Sequence, residues 1–435
     1  MYLKKIIIKD IRSIKDIEIT FNEPYNGWHV LIGDNGSGKS SIIKSICVAL
    51  VGTDEAESLR EDWSKWINKS AKEAQISLEL IPDYEFDSPQ LRKKRVQTVI
   101  NKIDFVSKKT QNIFSNGISL DFSKEENDPY DYNWAQDKVG WFSAAYGPYR
   151  KFTGGGNLES DFSFSHPKAA AHLSAFGDEL GLNGAIDWLI HLRFRSLEKN
   201  TQNGKLYTEL LDSFVTFINN SELLPYNSKV TQVTSNGVLI KDALGNEISL
   251  YEMSDGYKTV ISMIFDIIFQ LIKTYGAQQV FEQQKNGYKF IDLPGIILID
   301  EVDAHLHPKW QIKIGESFKR IFPKIQFIVT THSPLICRSV KENNSIWLLP
   351  SLEQIGKSYR EILGTEKQKL VDGNILDAYG TDIFGKATVR SKKSEEKLER
   401  LGVLNMMLAL GKISESEKDE RNNLLKIFGT DDPIG

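Results

Sequence analysis

A chain of 435 residues with 40% hydrophobic and 26% charged side chains is long enough to bury a large core, and its composition excludes a disordered, collagenous or disulfide-built protein. The formal net charge of −4 excludes a global basic footprint for nucleic acid, although a local basic groove stays open. The two cysteines, Cys47 and Cys337, sit among apolar neighbours, which is the pattern of reduced, buried thiols in a cytoplasmic protein.

From the N-terminus, Met1 to Ile8 is a β-rich run containing Lys4 and Lys5, without the apolar stretch of a signal peptide. Residues 2–9 and 15–21 read as a hairpin around Asp10-Ile11-Arg12-Ser13. Trp28-His29-Val30-Leu31-Ile32 reads as a buried strand, and Gly33-Asp34-Asn35-Gly36-Ser37-Gly38-Lys39-Ser40 follows it directly in the pattern G-x4-G-K-S. Ser41 to Ile46 continues as a helix. Glycines at 33, 36 and 38 let backbone N–H groups turn inward around phosphates, and the helix start adds the positive end of its dipole. The loop is therefore expected to bind a nucleoside triphosphate through Asn35, Gly36, Ser37, Gly38 and Ser41, with Lys39 on the β- and γ-phosphates and Ser40 on Mg2+.

Strands are expected over Gln75 to Leu80, Arg95 to Phe105, Ile118 to Phe122 and Gly140 to Tyr146, forming a β-rich lobe, with Asp121 to Asp137 as an acidic surface loop. Beyond Gly154-Gly155-Gly156 the pattern turns helical over Ala169 to Ala175, Ala185 to Leu192 and Leu206 to Ile218. None of these helices carries a long heptad array. Lys229 to Val233, Gly237 to Lys241 and Glu247 to Leu250 read as a meander with Asn236-Gly237 and Gly245-Asn246 turns. Met253-Ser254-Asp255-Gly256-Tyr257 then opens the most apolar helix, Val260 to Ile272, which is too short to span a membrane. A tail from about Asn374 ends in two charged helices, Lys392 to Arg400 and Ser414 to Lys426. Its apolar positions Leu401, Val403, Leu404, Met406, Met407 and Leu410 recur at helical spacing, to be buried either in the protein's own core or against a partner.

Two further runs carry chemistry. Ile296-Ile297-Leu298-Ile299-Asp300-Glu301 is a buried strand ending in two acids: Asp300 suits Mg2+ and Glu301 suits activation of water. Gln326 to Thr331 is a second buried strand, tipped by His332-Ser333-Pro334, where His332 can hydrogen-bond a γ-phosphate. Asp303, His305 and His307 lack the additional ligands of a zinc site. Ser254 and Gly256 at a helix start form a second candidate anion site; taken alone, the pentapeptide reads as an ordinary N-cap.

With the phosphate loop, Met253 to Tyr257, Asp300-Glu301 and His332 in this order, most of residues 1–345 resembles the ABC-type ATPases of the SMC and RecF group. The resemblance implies ATP and Mg2+ as cofactors and two heads sandwiching two ATP molecules. It implies that Ser254 and Gly256 act on the partner's γ-phosphate and that Asp303 to His307 lie at the dimer seam. It also carries Arg12 over as an N-terminal arginine near the nucleotide. The chain departs from the family in having Asp255 in place of the first signature glycine and in leaving the Q-loop glutamine unplaced, with Tyr146-Gly147-Pro148-Tyr149-Arg150 at roughly that position. The Asp-Gly-Tyr signature, that segment and Glu301 to Pro308 look like the compact ATPases related to the overcoming-lysogenization-defect group, as in Septu and retron-associated anti-phage operons.

The fold expected is α/β: an ABC-type P-loop head with an antiparallel β-lobe, a short helical insertion and a helical C-terminal tail. Its expected domains are 1–164, an N-terminal ATPase lobe; 165–228, the helical insertion; 229–373, the C-terminal ATPase lobe; and 374–435, a tail suited to docking a partner. The expected function is an Mg-dependent ATPase switch in anti-phage defence. It would form a homodimer or higher oligomer through shared ATP sites and control an effector, such as a nuclease, encoded beside it. DNA is a further candidate partner, and neither a membrane nor a nuclease centre within the chain is expected. A RecF-like DNA-repair ATPase and a nucleotide-gated scaffold with negligible hydrolysis are the alternatives.

Overall fold

The computed structural model describes residues 1–59, 61–87, 95–107, 118–122, 141–148, 167–177, 184–198, 202–224, 228–242, 244–350, 359–373 and 392–428. They form two compact units, Met1–Gly373 and Asn374–Gly435. In the first unit, β1 (Tyr2–Ile11), β2 (Ile14–Thr20), β4 (Glu73–Ile81), β5 (Val99–Ser107) and β6 (Ile118–Phe122) make an antiparallel sheet of order β2-β1-β4-β5-β6. Burial alternates along β4, as expected of a sheet with one face on a core. Asp121, expected to open an acidic loop, instead pairs with Asp104 across the sheet as part of β6. The rest of that expected loop, like Gly154 to Gly156, Tyr149, Arg150 and Asn374 to Phe384, lies outside the described residues.

The second sheet carries the site. Its core strands are β3 (Gly27–Ile32), β11 (Gly295–Ile299) and β12 (Ile325–Thr331), flanked by β7 (Ser143–Tyr146) and β13 (Ile346–Leu348), all parallel, with β14 (Arg360–Glu361) antiparallel at one edge. β11 and β12 are buried at every residue, which is why they read as continuous apolar runs without alternation. Gln326, buried within β12, joins the two sheets: its Oε1 accepts from Leu3 N at 2.7 Å and its Nε2 donates to Leu3 O at 2.8 Å, beside a bulge in β1. One buried amide thus pairs with both backbone groups of Leu3.

Helix α1 (Lys39–Val51) follows the phosphate loop and packs into the core shared with the antiparallel sheet. Helices α2 (Gly184–Ser196) and α3 (Gln202–Ser221) pack on α4 (Asp255–Tyr275) through Trp188 against Phe269 at 5.1 Å and Phe214 against Phe265 at 5.2 Å. The meander β8 (Lys229–Thr234), β9 (Gly237–Lys241) and β10 (Glu247–Ser249) precedes α4, and α5 (Pro308–Ile321) links β11 to β12. In the second unit, α6 (Lys392–Ala409) and α7 (Glu415–Phe428) enclose Leu401, Leu404 and Leu424, while Val403, Met406 and Leu410 are exposed. The apolar stripe of the tail is thus divided between a small core and an open face. Among the described residues no helix is long and apolar enough to cross a membrane.

Candidate functional site

Because the five strands from β7 to β13 are parallel, their C-terminal ends share one edge, where open α/β sheets bind ligands. Ile32 lies opposite Thr331, and Ile299 lies opposite Val329. The phosphate loop, the acids after β11 and His332 after β12 therefore emerge side by side. Three segments up to about 300 residues apart in sequence meet there through strand register alone.

The loop is held by backbone conformation. Gly36 and Gly38 have φ of 78° and 95°, a region costly for any residue with a β-carbon, and Gly38 caps α1, with Ile42 N donating to Gly38 O at 2.9 Å. Lys39 is buried, and its Nζ donates to Gly33 O at 2.7 Å and Asp34 O at 2.9 Å. Burial pushes its ammonium below the usual lysine range, while Asp300, Glu301, Asp34 and Asp303 pull the other way. Ser37 Oγ is buried without a hydrogen-bond partner, and Asn35 and Gly36 are exposed. Ser40 and Ser41, half-buried, open the helix. An orphaned hydroxyl, two left-handed glycines, a lysine and a helix N-terminus together fit a triphosphate. Ser40 and Asp300 are the residues that would hold its Mg2+.

Asp300 is buried, and its Oδ1 accepts from Thr330 Oγ1 at 2.5 Å. The same Thr330 oxygen accepts from Glu301 N at 2.7 Å, so one hydroxyl in β12 fixes both acids. Glu301 adopts φ 47°, a left-handed conformation that costs a non-glycine residue about 1–3 kcal/mol and needs such support. Asp300 N also donates to Tyr146 O at 2.8 Å, and Tyr146 Oη donates to half-buried Asp266 Oδ2 at 2.8 Å, which connects this edge to α4. His332 is half-buried; burial and the neighbouring Lys39 hold its imidazole below the usual histidine range, opposed by Asp303, Glu301 and Asp34. Thr330 was not evident as a site residue, since a threonine inside a strand is first of all a β-former.

Arg12 has φ 51° at the β1–β2 turn, and that turn reaches the phosphate loop, where a β-carbon on Gly38 would lie 3.2 Å from Ile14 Cγ1. Its guanidinium donates to Glu61 Oε1 at 2.6 Å and lies 4.7 Å from the centre of the Trp66 ring. Ser254 occupies the N-cap of α4, yet its hydroxyl makes no capping hydrogen bond, and the residue is exposed. Asp255 instead pairs with Lys258 at 2.9 Å. Gly256 abuts the carbonyl of His305 so closely that a β-carbon would collide. The start of α4 thus touches the acidic turn of its own chain.

The "AAA domain, putative AbiEii toxin, Type IV TA system" family matches residues 65–338, well over half of the chain and including Ser254, Asp300, Glu301 and His332. The chain belongs to this AAA family. A second match, to a protein family of unknown function (DUF2813), covers residues 1–116 and with them the phosphate loop. This AAA-family chain is similar to the Septu protein PtuA of Bacillus mycoides (strain KBAB4), 26% identical over 370 residues, which cover 81% of this chain and 41% of that one. It is likewise similar to the "Retron Vc95 probable ATPase" of Vibrio cholerae serotype O1 biovar El Tor, 26% identical over 391 residues, covering 78% of this chain and 71% of that one. The chain thus spans less than half the length of the Septu relative. Among solved structures, an SMC head domain from Thermotoga maritima aligns over 84% of this chain and 100% of that one, with 15% identity and a TM-score of 0.43. At that score the fold rests on the strand order described above.

Proposed function

We propose that this chain is an Mg-dependent ATP-hydrolysing switch that pairs with a second copy across shared nucleotides and controls an effector, such as a nuclease, in bacterial anti-phage defence. The observation that carries the catalytic part is the single hydroxyl of Thr330, which holds Asp300 and the backbone of Glu301 beside Lys39 and His332. In this reading Lys39 binds the β- and γ-phosphates, Ser40 and Asp300 hold Mg2+, Glu301 accepts a proton from the attacking water, and His332 hydrogen-bonds the γ-phosphate. In the same reading Arg12, on the β1–β2 turn that packs on Gly38, acts near the nucleotide. The exposed Ser254 hydroxyl, unused as a cap, supports a role toward the partner's γ-phosphate. Similarity to Septu and retron ATPases supports the defence role and an effector. Residues 1–164 and 229–373 are then the two ATPase lobes, 165–228 the helical insertion, and 374–435 a docking tail.

The test compares ATP binding and turnover, with and without DNA and Mg2+, in Lys39→Ala and Glu301→Gln. Lys39→Ala loses binding; Glu301→Gln keeps it and loses turnover by about a hundredfold or more. Mixed dimers of Ser254→Arg and Lys39→Ala chains recover partial turnover through one intact composite site, whereas each variant alone is inactive. Equal loss of binding in Lys39→Ala and Glu301→Gln refutes the roles, and no recovery in verified mixed dimers refutes the shared site.

A further inference from the structure

Gln311 lies on α5, outside every motif, and is half-buried between the acidic turn and the tip of β12. Its Oε1 accepts from Ser333 Oγ at 2.7 Å, and its Nε2 donates to Leu306 O at 2.9 Å and Asp303 O at 3.4 Å. A carbonyl can only accept, so the Leu306 contact fixes which way the amide faces. Thr331 completes the circuit: its Oγ1 donates to Asp303 Oδ1 at 2.5 Å and accepts from Ser333 N at 2.9 Å. The strand tip that carries His332 and the turn after Glu301 are thereby joined on both sides. Within that turn His305 adopts φ 63°, and its carbonyl is the group that abuts Gly256. A left-handed non-glycine residue persists only where its surroundings over-determine it.

We propose that Gln311 is a positioning residue for turnover. It holds the 303–306 turn in register with His332 and against Gly256, so that Glu301, the phosphate-sensing tip and the signature segment keep one geometry. This rests on the ATPase reading above. A primary amide is suited to the task because it accepts from a hydroxyl and donates to carbonyls at once; glutamate lacks the donor and lysine the acceptor.

The experiment measures kcat, KM, ATP affinity and melting temperature of the full chain for wild type, Gln311→Met, Ser333→Ala, the double variant and Glu301→Gln. Gln311→Met keeps the bulk without the hydrogen bonds. It is expected to lower kcat about tenfold while KM and ATP affinity stay within about twofold. In the double variant the kcat losses are expected to be less than additive, because both substitutions break the Gln311–Ser333 bond, while Ser333→Ala also removes the acceptor of Leu335 N. Should Gln311→Met fail to fold, Ser333→Ala, which leaves α5 intact, is expected to show the same kcat-specific loss at smaller size. Unchanged kcat, affinity falling in step with kcat, or additive losses overturn the role of Gln311 while leaving a wild type that turns over. Absence of Glu301-dependent turnover in the wild type overturns the ATPase reading and this role with it.

Discussion

Arg12 shows how a side chain near the phosphate loop is held without belonging to it. Glu61 grips its guanidinium and Trp66 lies beneath it, while the backbone turn packs on Gly38. Its surroundings differ from those of the acids that would handle Mg2+ and water, so Arg12→Ala is expected to raise KM for ATP about three- to tenfold and leave kcat within about twofold, measured by steady-state hydrolysis. Glu61→Gln, which weakens the grip, should move KM the same way by less. A large fall in kcat alone would place Arg12 among the groups acting on the transition state. The phosphate loop was legible in the sequence because its constraints are local: glycines, lysine and serine stand within eight consecutive residues. Glu61 and Gln311 were not, because their partners Arg12 and Ser333 lie 49 and 22 residues away, and only tertiary contact selects them from the other acids and amides.

At the level of elements, apolar runs marked the buried strands correctly, whereas their ends depended on pairing. The strand expected over Arg95 to Phe105 runs instead over Val99–Ser107, since its limits are set by the ladders to β4 and β6. Two helical glycines show the same division between local and tertiary causes. Replacing glycine by alanine inside a helix favours the helix by about 1 kcal/mol. At Gly402 in α6 a β-carbon meets nothing within 4 Å, so Gly402→Ala should stabilise that helix by about this amount. At Gly315 in α5 it would lie 2.5 Å from Ser339 Cβ and 2.9 Å from Trp28 Cε2, directly beneath the strand that leads to the phosphate loop. Overpacking there costs about 1–3 kcal/mol and outweighs propensity, so Gly315→Ala should lower stability. Hydrogen exchange of the α6 and α5 amides in the two variants measures both; slower exchange in α5 of Gly315→Ala would contradict the packing argument.

For the whole molecule, two histidines buried far apart in sequence make its stability depend on pH. His29 in β3 is fully enclosed: its Nε2 donates to Tyr25 O at 2.8 Å, and its Nδ1 accepts from Ser345 N at 3.2 Å, an arrangement that uses the neutral ring. His172, also enclosed, has Nδ1 2.8 Å from Lys168 O and an Nε2 with no partner. Burial lowers each imidazole to a pKa of about 4. In the unfolded chain a histidine takes up its proton near pH ~6.5. Between these values the unfolded state binds more protons, so folding stability is fully present above pH ~6.5 and falls as pH drops toward 4. The expected loss is about 1.4 kcal/mol per pH unit for each histidine. Urea midpoints should therefore fall between pH 6.5 and 5, and His29→Gln, though less stable at pH 7.5, should show a shallower fall than wild type. An equal slope in wild type and variant would mean that His29 charges within the fold, contrary to its enclosure between Tyr25 and Ser345.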